Sequence, residues 1–310
     1  MRAFNRRQFL QMAGAGAVAA AMPTFAAAEE VWSSGTDKPA FKLPPGAVDC
    51  HMHIYDDRFP SAPGTTLRPP NASIEQYRKV QARLGVQRNV VVTPSTYGTD
   101  NRCTLDALKR FGPNARGVAV VDTSVTDAQL TEMNAAGVRA IRFNLSYPGA
   151  TTVDMLAPLA SRIGALGWHI ELVVQGAKLP ELERHLLALP CPLVIDHIAH
   201  VLQPGGMQSD AMRTAQRLVD KGNTWITLSG PYVDSKTGAP AYADVEPVAK
   251  AFIHMAPERM LWGIDWPHPT EKTHKPDDAA LVDTISTWIG RSDWQRMIFV
   301  SNPSKLYGFV

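Results

Sequence analysis

Hydrophobic residues along this chain recur as short, nearly unbroken β-branched runs at 47–54, 89–95, 117–122, 140–145, 169–174, 193–198, 225–229 and 260–265. A strand with one wet face alternates apolar and polar residues, whereas these runs carry few polar positions, as strands buried on both faces do. They predict eight strands of a parallel sheet. Between them the apolar spacing widens to three and four residues, the period of an amphipathic helix, over 155–166, 179–189, 209–221, 243–255 and 276–289. Two further helices are marked by their starts. Ser73 with Gln76, and Thr126 with Gln129, set a hydroxyl and an amide side chain three residues apart, where they satisfy free backbone amides of the first turn. Gly85 and Gly137 stand where a left-handed residue would end those helices. Strand and helix alternating eight times over about 260 residues has the size of a (β/α)8 TIM barrel, an α/β fold. A doubly wound open sheet is the rival, and no GxGxxG follows the first run to support it. Residues 47–310 are expected to form one barrel domain, with 29–46 a lead into it. The long stretch holding Pro60, Pro63, Gly64, Pro69 and Pro70 is expected to fold over the barrel mouth.

Of 310 residues, 45% are apolar and 19% charged, enough for a sizeable core and unlike a disordered chain. The net charge of +2 comes from the first 28 residues, which hold Arg2, Arg6 and Arg7 and no Lys, Asp or Glu; the remainder has 28 basic and 29 acidic residues. So neutral a body has no electrostatic footprint for nucleic acid and no basic membrane surface, which leaves a small molecule as the expected partner. Residues 5–28, NRRQFLQMAGAGAVAAAMPTFAAA, set paired arginines before a weakly apolar run that ends in small residues. The segment resembles a twin-arginine export signal with cleavage near Ala28, which implies the Tat export machinery as a partner and a periplasmic or secreted destination, with no membrane attachment after cleavage. An N-terminal anchor is the rival, disfavoured by Gln11, Pro23 and the weak apolarity. Cys50, Cys103 and Cys191 have no metal-binding spacing and are expected to be small buried hydrophobes.

In such a barrel the chemistry sits at the carboxyl ends of the strands. The first run ends Asp49-Cys50-His51-Met52-His53, and strand alternation turns His51 and His53 the same way, into the barrel, where two imidazoles hold a metal or polarise a carbonyl. The last run ends in Asp265 before Trp266-Pro267, a place where a carboxylate is costly to bury unless it is paired or used; the plainer role is a helix cap or ion pair. The sixth run brings His197 to the rim, with Asp196 or a backbone carbonyl to orient it, and leaves His200 as a surface or loop residue. Arg142, inside an apolar run, needs an anion, either a substrate carboxylate or a buried acid. Ser95 ends the second run and offers a hydroxyl to the same ligand. In the fifth run lie His169, Glu171 and Gln175, with His169 at the end away from the mouth.

The first-strand HMH, the DH of 196–197 and GIDWPHP at 263–269 together resemble the amidohydrolase superfamily, in its amidohydrolase-related branch of pyrone-dicarboxylate lactonases, muconolactone hydrolases and galactarolactone isomerases. The likeness takes in PSTYGTDN (94–101), GVRAIRFN (137–144), YADV (242–245), APER (256–259) and NPSKLYG (302–308). It implies Asp265 as the base that deprotonates water, His51, His53 and His197 around a lactone carbonyl, and Arg142 and Ser95 as substrate ligands. The dicarboxylate lactonase pattern has a second basic residue shortly after the fourth-strand arginine, and here Leu145-Ser146-Tyr147-Pro148 has none. The isomerase pattern lacks the first histidine and the final aspartate, both present here, so hydrolysis of a carboxylated lactone is favoured over isomerisation. Zinc-dependent relatives add a fifth-strand histidine, or a fourth-strand lysine or glutamate, where this chain has Gln175 and Arg142. A metal-independent site is therefore favoured, with Zn²⁺ held by His51, His53 and Asp265 as the alternative, which would extend to amide hydrolysis or decarboxylation. An exported binding protein for carboxylated small molecules is the rival of another class.

Overall fold

The structure, a computed structural model, describes residues 32–146, 149–203 and 205–310. The twin-arginine segment lies outside the described residues. The hydrophobic runs become β1 (Val48–Met52), β2 (Arg88–Val92), β3 (Ala115–Ala119), β4 (Val138–Asn144), β5 (His169–Val173), β6 (Leu193–Ile195), β7 (Thr224–Leu228) and β8 (Met260–Trp262). Each pairs in parallel with the next, in chain order from β1 to β8. Outside them lie α1 (Ile74–Leu84), α2 (Arg102–Phe111), α3 (Asp127–Ala135), α4 (Leu156–Gly164), α5 (Leu179–Leu187), α6 (Asp210–Asp220), the short α7 (Pro231–Asp234), α8 (Glu246–Met255) and α9 (Asp278–Ile289). Both capping boxes form, at Ser73 and Thr126. Gly85 ends α1 in the left-handed conformation, while Gly137 follows one residue after the Ala136 cap of α3. The architecture is a single, nearly closed (β/α)8 barrel, and no helix of the described residues is long and apolar enough to cross a membrane.

β8 meets β1 through a few specific bonds. Ile264 N donates to Asp49 Oδ1 at 3.0 Å, Asp265 N to the His51 carbonyl at 2.8 Å, and His53 N to the Trp266 carbonyl at 2.8 Å. The approach is so close at Gly263 that a Cβ there would stand 2.8 Å from the His51 nitrogen, which no side chain permits. Asp49, fully buried, also accepts from the Tyr77 hydroxyl at 2.7 Å and from His51 N at 3.1 Å. Burial pushes its carboxyl up to about 7 even against these donors.

Four runs overshoot their strands by three residues. The sequence places strand to 95, 122, 198 and 265, but the ladder stops at Val92, Ala119, Ile195 and Trp262, and beyond these only isolated backbone bonds, such as Asp265 N to the His51 carbonyl, tie the chain to a neighbouring strand. Ser95–Tyr97 is a 3₁₀ turn. His197, Ile198, Ala199 and His200 all have φ between 47° and 57°, the left-handed region that non-glycine residues occupy only at a cost of about 1 kcal/mol each. The long β1–α1 loop lies on the mouth as expected: Tyr55 and Ala72 exchange backbone hydrogen bonds at its base, and Thr96 Oγ1 donates to the Leu67 carbonyl at 2.6 Å. The three cysteines are buried and free.

Candidate active site

Strand alternation delivers both β1 histidines to one side, with ring centroids 5.0 Å apart and an interplanar angle of 84°. Asp265 reaches them from the turn after β8: its Oδ1 is 3.7 Å from His51 Nε2 and 3.6 Å from His53 Nε2. His197 completes the group, its ring centroid 5.0 Å from that of His51. These four side chains are buried, and His53, His197 and Asp265 line a cavity of about 370 Å³ at the barrel mouth. His51 does not line it. The histidine expected at a substrate carbonyl stands one layer deeper, behind Asp265, because β1 is still within the barrel at residue 51.

The ring nitrogens differ in what they offer. His53 Nδ1 is 2.7 Å from the Val92 carbonyl, which only accepts, so the ring's proton sits on Nδ1 and its Nε2, toward Asp265, is an acceptor. Burial lowers this ring to about 4 and keeps it neutral at pH 7. His197 Nδ1 is 2.9 Å from Ser229 Oγ, not against Asp196 as its neighbour in sequence suggested. Burial lowers His197 to about 3. When the Ser229 hydroxyl donates to Nδ1, the other nitrogen carries the proton. Asp196 serves His51 instead: Asp196 Oδ1 and Glu171 Oε1 lie 3.5 and 3.2 Å from His51 Nδ1. Burial opposes charge on His51, but the two carboxylates outweigh it and lift the ring to about 10. In return Asp196 is held low by His51 against its own burial, while Glu171 is pushed up by burial and by Asp196. Burial also works to raise Asp265, yet the surrounding imidazoles hold it well below the ordinary carboxylate range. At neutral pH the site is thus an ionised Asp265 over a cationic His51, flanked by two neutral imidazoles.

Arg142, the buried guanidinium of β4, lines the same cavity and donates from Nη1 to the Thr93 carbonyl at 3.3 Å. Among the described residues no carboxylate lies within ion-pair distance of it. Ser95 lines the cavity from an exposed position and accepts from Asn144 Nδ2 at 2.9 Å. His169 is buried against the Tyr307 ring, 4.9 Å between centroids, away from the cavity as its place in the strand implies. His200, expected at the surface, lines the cavity with Asp234, 3.1 Å from its Nδ1. Sequence reasoning named Glu171 in the fifth run but gave it no role, and the structure sets it behind His51; it assigned none to Tyr232, whose hydroxyl donates to Asp265 Oδ2 at 2.7 Å from a loop helix without periodicity to orient it.

The family model described as amidohydrolase matches residues 48–309. This chain belongs to the amidohydrolase family. It is 39% identical over 288 residues to the 2-pyrone-4,6-dicarboxylate hydrolase of Comamonas testosteroni, covering 89% of this chain and 94% of the relative. It is 31% identical over 278 residues to the 4-sulfomuconolactone hydrolase of Hydrogenophaga intermedia, covering 87% and 91%. An apo crystal structure from Agrobacterium tumefaciens superposes with a TM-score of 0.84 at 28% identity, over 91% of this chain and 99% of that one. His51, His197 and Asp265 bring one donor atom each within 4.8 Å of one another, a grouping that could hold a metal ion. Three such donors fit an open zinc site. The set differs from that read in the sequence by His197 in place of His53.

Proposed function

We propose that this amidohydrolase-family enzyme hydrolyses a lactone bearing a single carboxylate, with Asp265 as the general base. The observation that carries the reading is Asp265 Oδ1 facing His53 Nε2 at 3.6 Å on the wall of a cavity that also holds the Arg142 guanidinium, which has no carboxylate partner among the described residues. Arg142 anchors the substrate carboxylate. Water sits between Asp265 Oδ1 and the acceptor nitrogen of His53, which takes a hydrogen bond from it. As the water oxygen bonds to the lactone carbonyl carbon, Asp265 accepts one of its protons; the ring C–O bond then breaks and that proton passes to the ring oxygen, giving a hydroxyl and a carboxylic acid, which releases the second water proton to solvent and becomes a carboxylate. The protonated nitrogen of His197 donates to the oxygen that becomes anionic, a donor typically worth about 3 kcal/mol. His53 does not share that task, since its proton is committed to Val92.

The names of the two curated relatives support a lactone substrate. Support for a single carboxylate comes from the lining: Arg142 is its one Lys or Arg among the described residues, Asp234 adds an acid, and Leu67, Val173 and Leu202 supply apolar surface. Turnover of lactones carrying one and two carboxylates, run in ¹⁸O-water, tests this. Label in the new carboxylate of a monocarboxylated lactone supports hydrolysis, and lactone recovered unchanged, or isomerised without label, contradicts it.

A second reading rests on the donor group of His51, His197 and Asp265. A Zn²⁺ held there would supply a bound water acidified toward neutrality. Metal analysis of the purified protein, with activity before and after chelation, separates the two. Export is proposed on the Arg6-Arg7 segment, and fractionation of cells carrying the parent and the Arg6→Lys/Arg7→Lys chain tests it.

A further inference from the structure

We propose that Tyr232, His268 and Asp278 form an orienting chain that occupies Oδ2 of Asp265 and leaves Oδ1 as its working oxygen. The inference rests on Asp265 being the base. The chain is continuous: Tyr232 Oη is 2.7 Å from Asp265 Oδ2 and 2.9 Å from His268 Nδ1, and His268 Nε2 is 3.0 Å from Asp278 Oδ1. Three separate elements meet to make it, namely α7, the turn after β8 and the first turn of α9. His268 and Asp278 are fully buried, and none of the three side chains lines the cavity, so they act on substrate only through Asp265.

Hydrogen-bond polarity gives the chain a direction. Tyr232 has one proton, and donating it to Oδ2 leaves its oxygen to accept from His268 Nδ1–H; the contact between Nε2 and Asp278 Oδ1 then holds one further proton, carried by one partner of that pair. With Oδ2 so engaged, the free lone pairs of Asp265 lie on Oδ1, the oxygen that faces both β1 histidines. The backbone is bent to permit this. Asp265 and His268, neither of them glycine, hold φ of 60° and 55°, and His268 N closes the turn on the Asp265 carbonyl at 2.8 Å. Such strain persists only where the surroundings over-determine it.

Steady-state kinetics on a turned-over lactone test the chain with Tyr232→Phe, His268→Leu, His268→Asn and Asp265→Asn. Loss of orientation alone is expected to lower kcat about ten- to a hundredfold with KM within about threefold. His268→Leu should match Tyr232→Phe. His268→Asn, whose amide still donates toward Tyr232, should recover most of the loss. A kcat for Tyr232→Phe within twofold of the parent, a rise in KM alone, or equal losses in His268→Leu and His268→Asn overturns the chain. If Asp265→Asn itself stays active, the base assignment falls first; if it is dead while Tyr232→Phe is unimpaired, only the chain falls.

Discussion

His53 Nδ1 stands 2.7 Å from the carbonyl oxygen of Val92, the last residue of the neighbouring strand. A backbone carbonyl has no proton to give, so this one contact decides that the nitrogen His53 turns toward Asp265 is bare. Nitrogen NMR of the imidazoles is expected to show His53 as the Nδ1–H tautomer, neutral until the pH falls to about 4. A protonated Nε2 at pH 7 would contradict it. The same ring would then be a donor, and its place beside the attacking water would be lost.

Activity should fail on the alkaline side when His51 loses its charge. Its folded value is raised above the ordinary 6.5 to about 10, so the cation is present below that pH and disappears as the pH rises through it. The groups facing it are Glu171 and Asp196 on Nδ1 and Asp265 on Nε2. Corrected for spontaneous lactone opening, kcat/KM is expected to decline with an apparent value near 10 in the parent. Glu171→Gln removes one of the two flanking acids and should move that decline to lower pH; an unmoved limb would show that His51 does not set it.

Arg142 is predicted to govern binding more than turnover. Replacing it with Met removes a charge-assisted pair to the substrate carboxylate, a loss of about 3 kcal/mol or roughly a hundredfold in KM, with a smaller change in kcat. Preference for lactones with one carboxylate over uncharged ones should vanish with it. Comparison of KM for the two substrate classes checks both statements.

Asp49 is predicted to be structural. Its carboxyl gathers the Tyr77 hydroxyl and the amides of His51 and Ile264 across the β1–β8 closure, so Asp49→Ala strands three buried donors. Stability should drop by about 3 kcal/mol in denaturant unfolding, and much less for Asp49→Asn, whose amide oxygen still accepts both backbone amides.

The barrel was legible because strands buried on both faces write continuous apolar runs, and the period of two in a strand was enough to aim His51 and His53 together. Arg142 and Asp265 stood out as charges in apolar surroundings, and the structure places them on the same cavity. The pairing of His197 was not legible. The left-handed turn at 197–200 breaks strand alternation, so Asp196 goes inward to His51 while Ser229, on the next strand's end, meets His197. His51 was read as a substrate contact because alternation gives direction but not depth. Tyr232 and His268 sit in turns whose course depends on tertiary contacts, and no periodic signal marks their meeting with Asp265.

The direct test of Asp265 as the proton acceptor is Asp265→Asn, an isosteric change that keeps the shape and removes the base. Measured beside the parent on the best monocarboxylated lactone, kcat/KM should fall by about a thousandfold or more while calorimetry still detects binding of the hydroxy-acid product at the Arg142 cavity. Turnover within about tenfold of the parent, with binding intact, would contradict it.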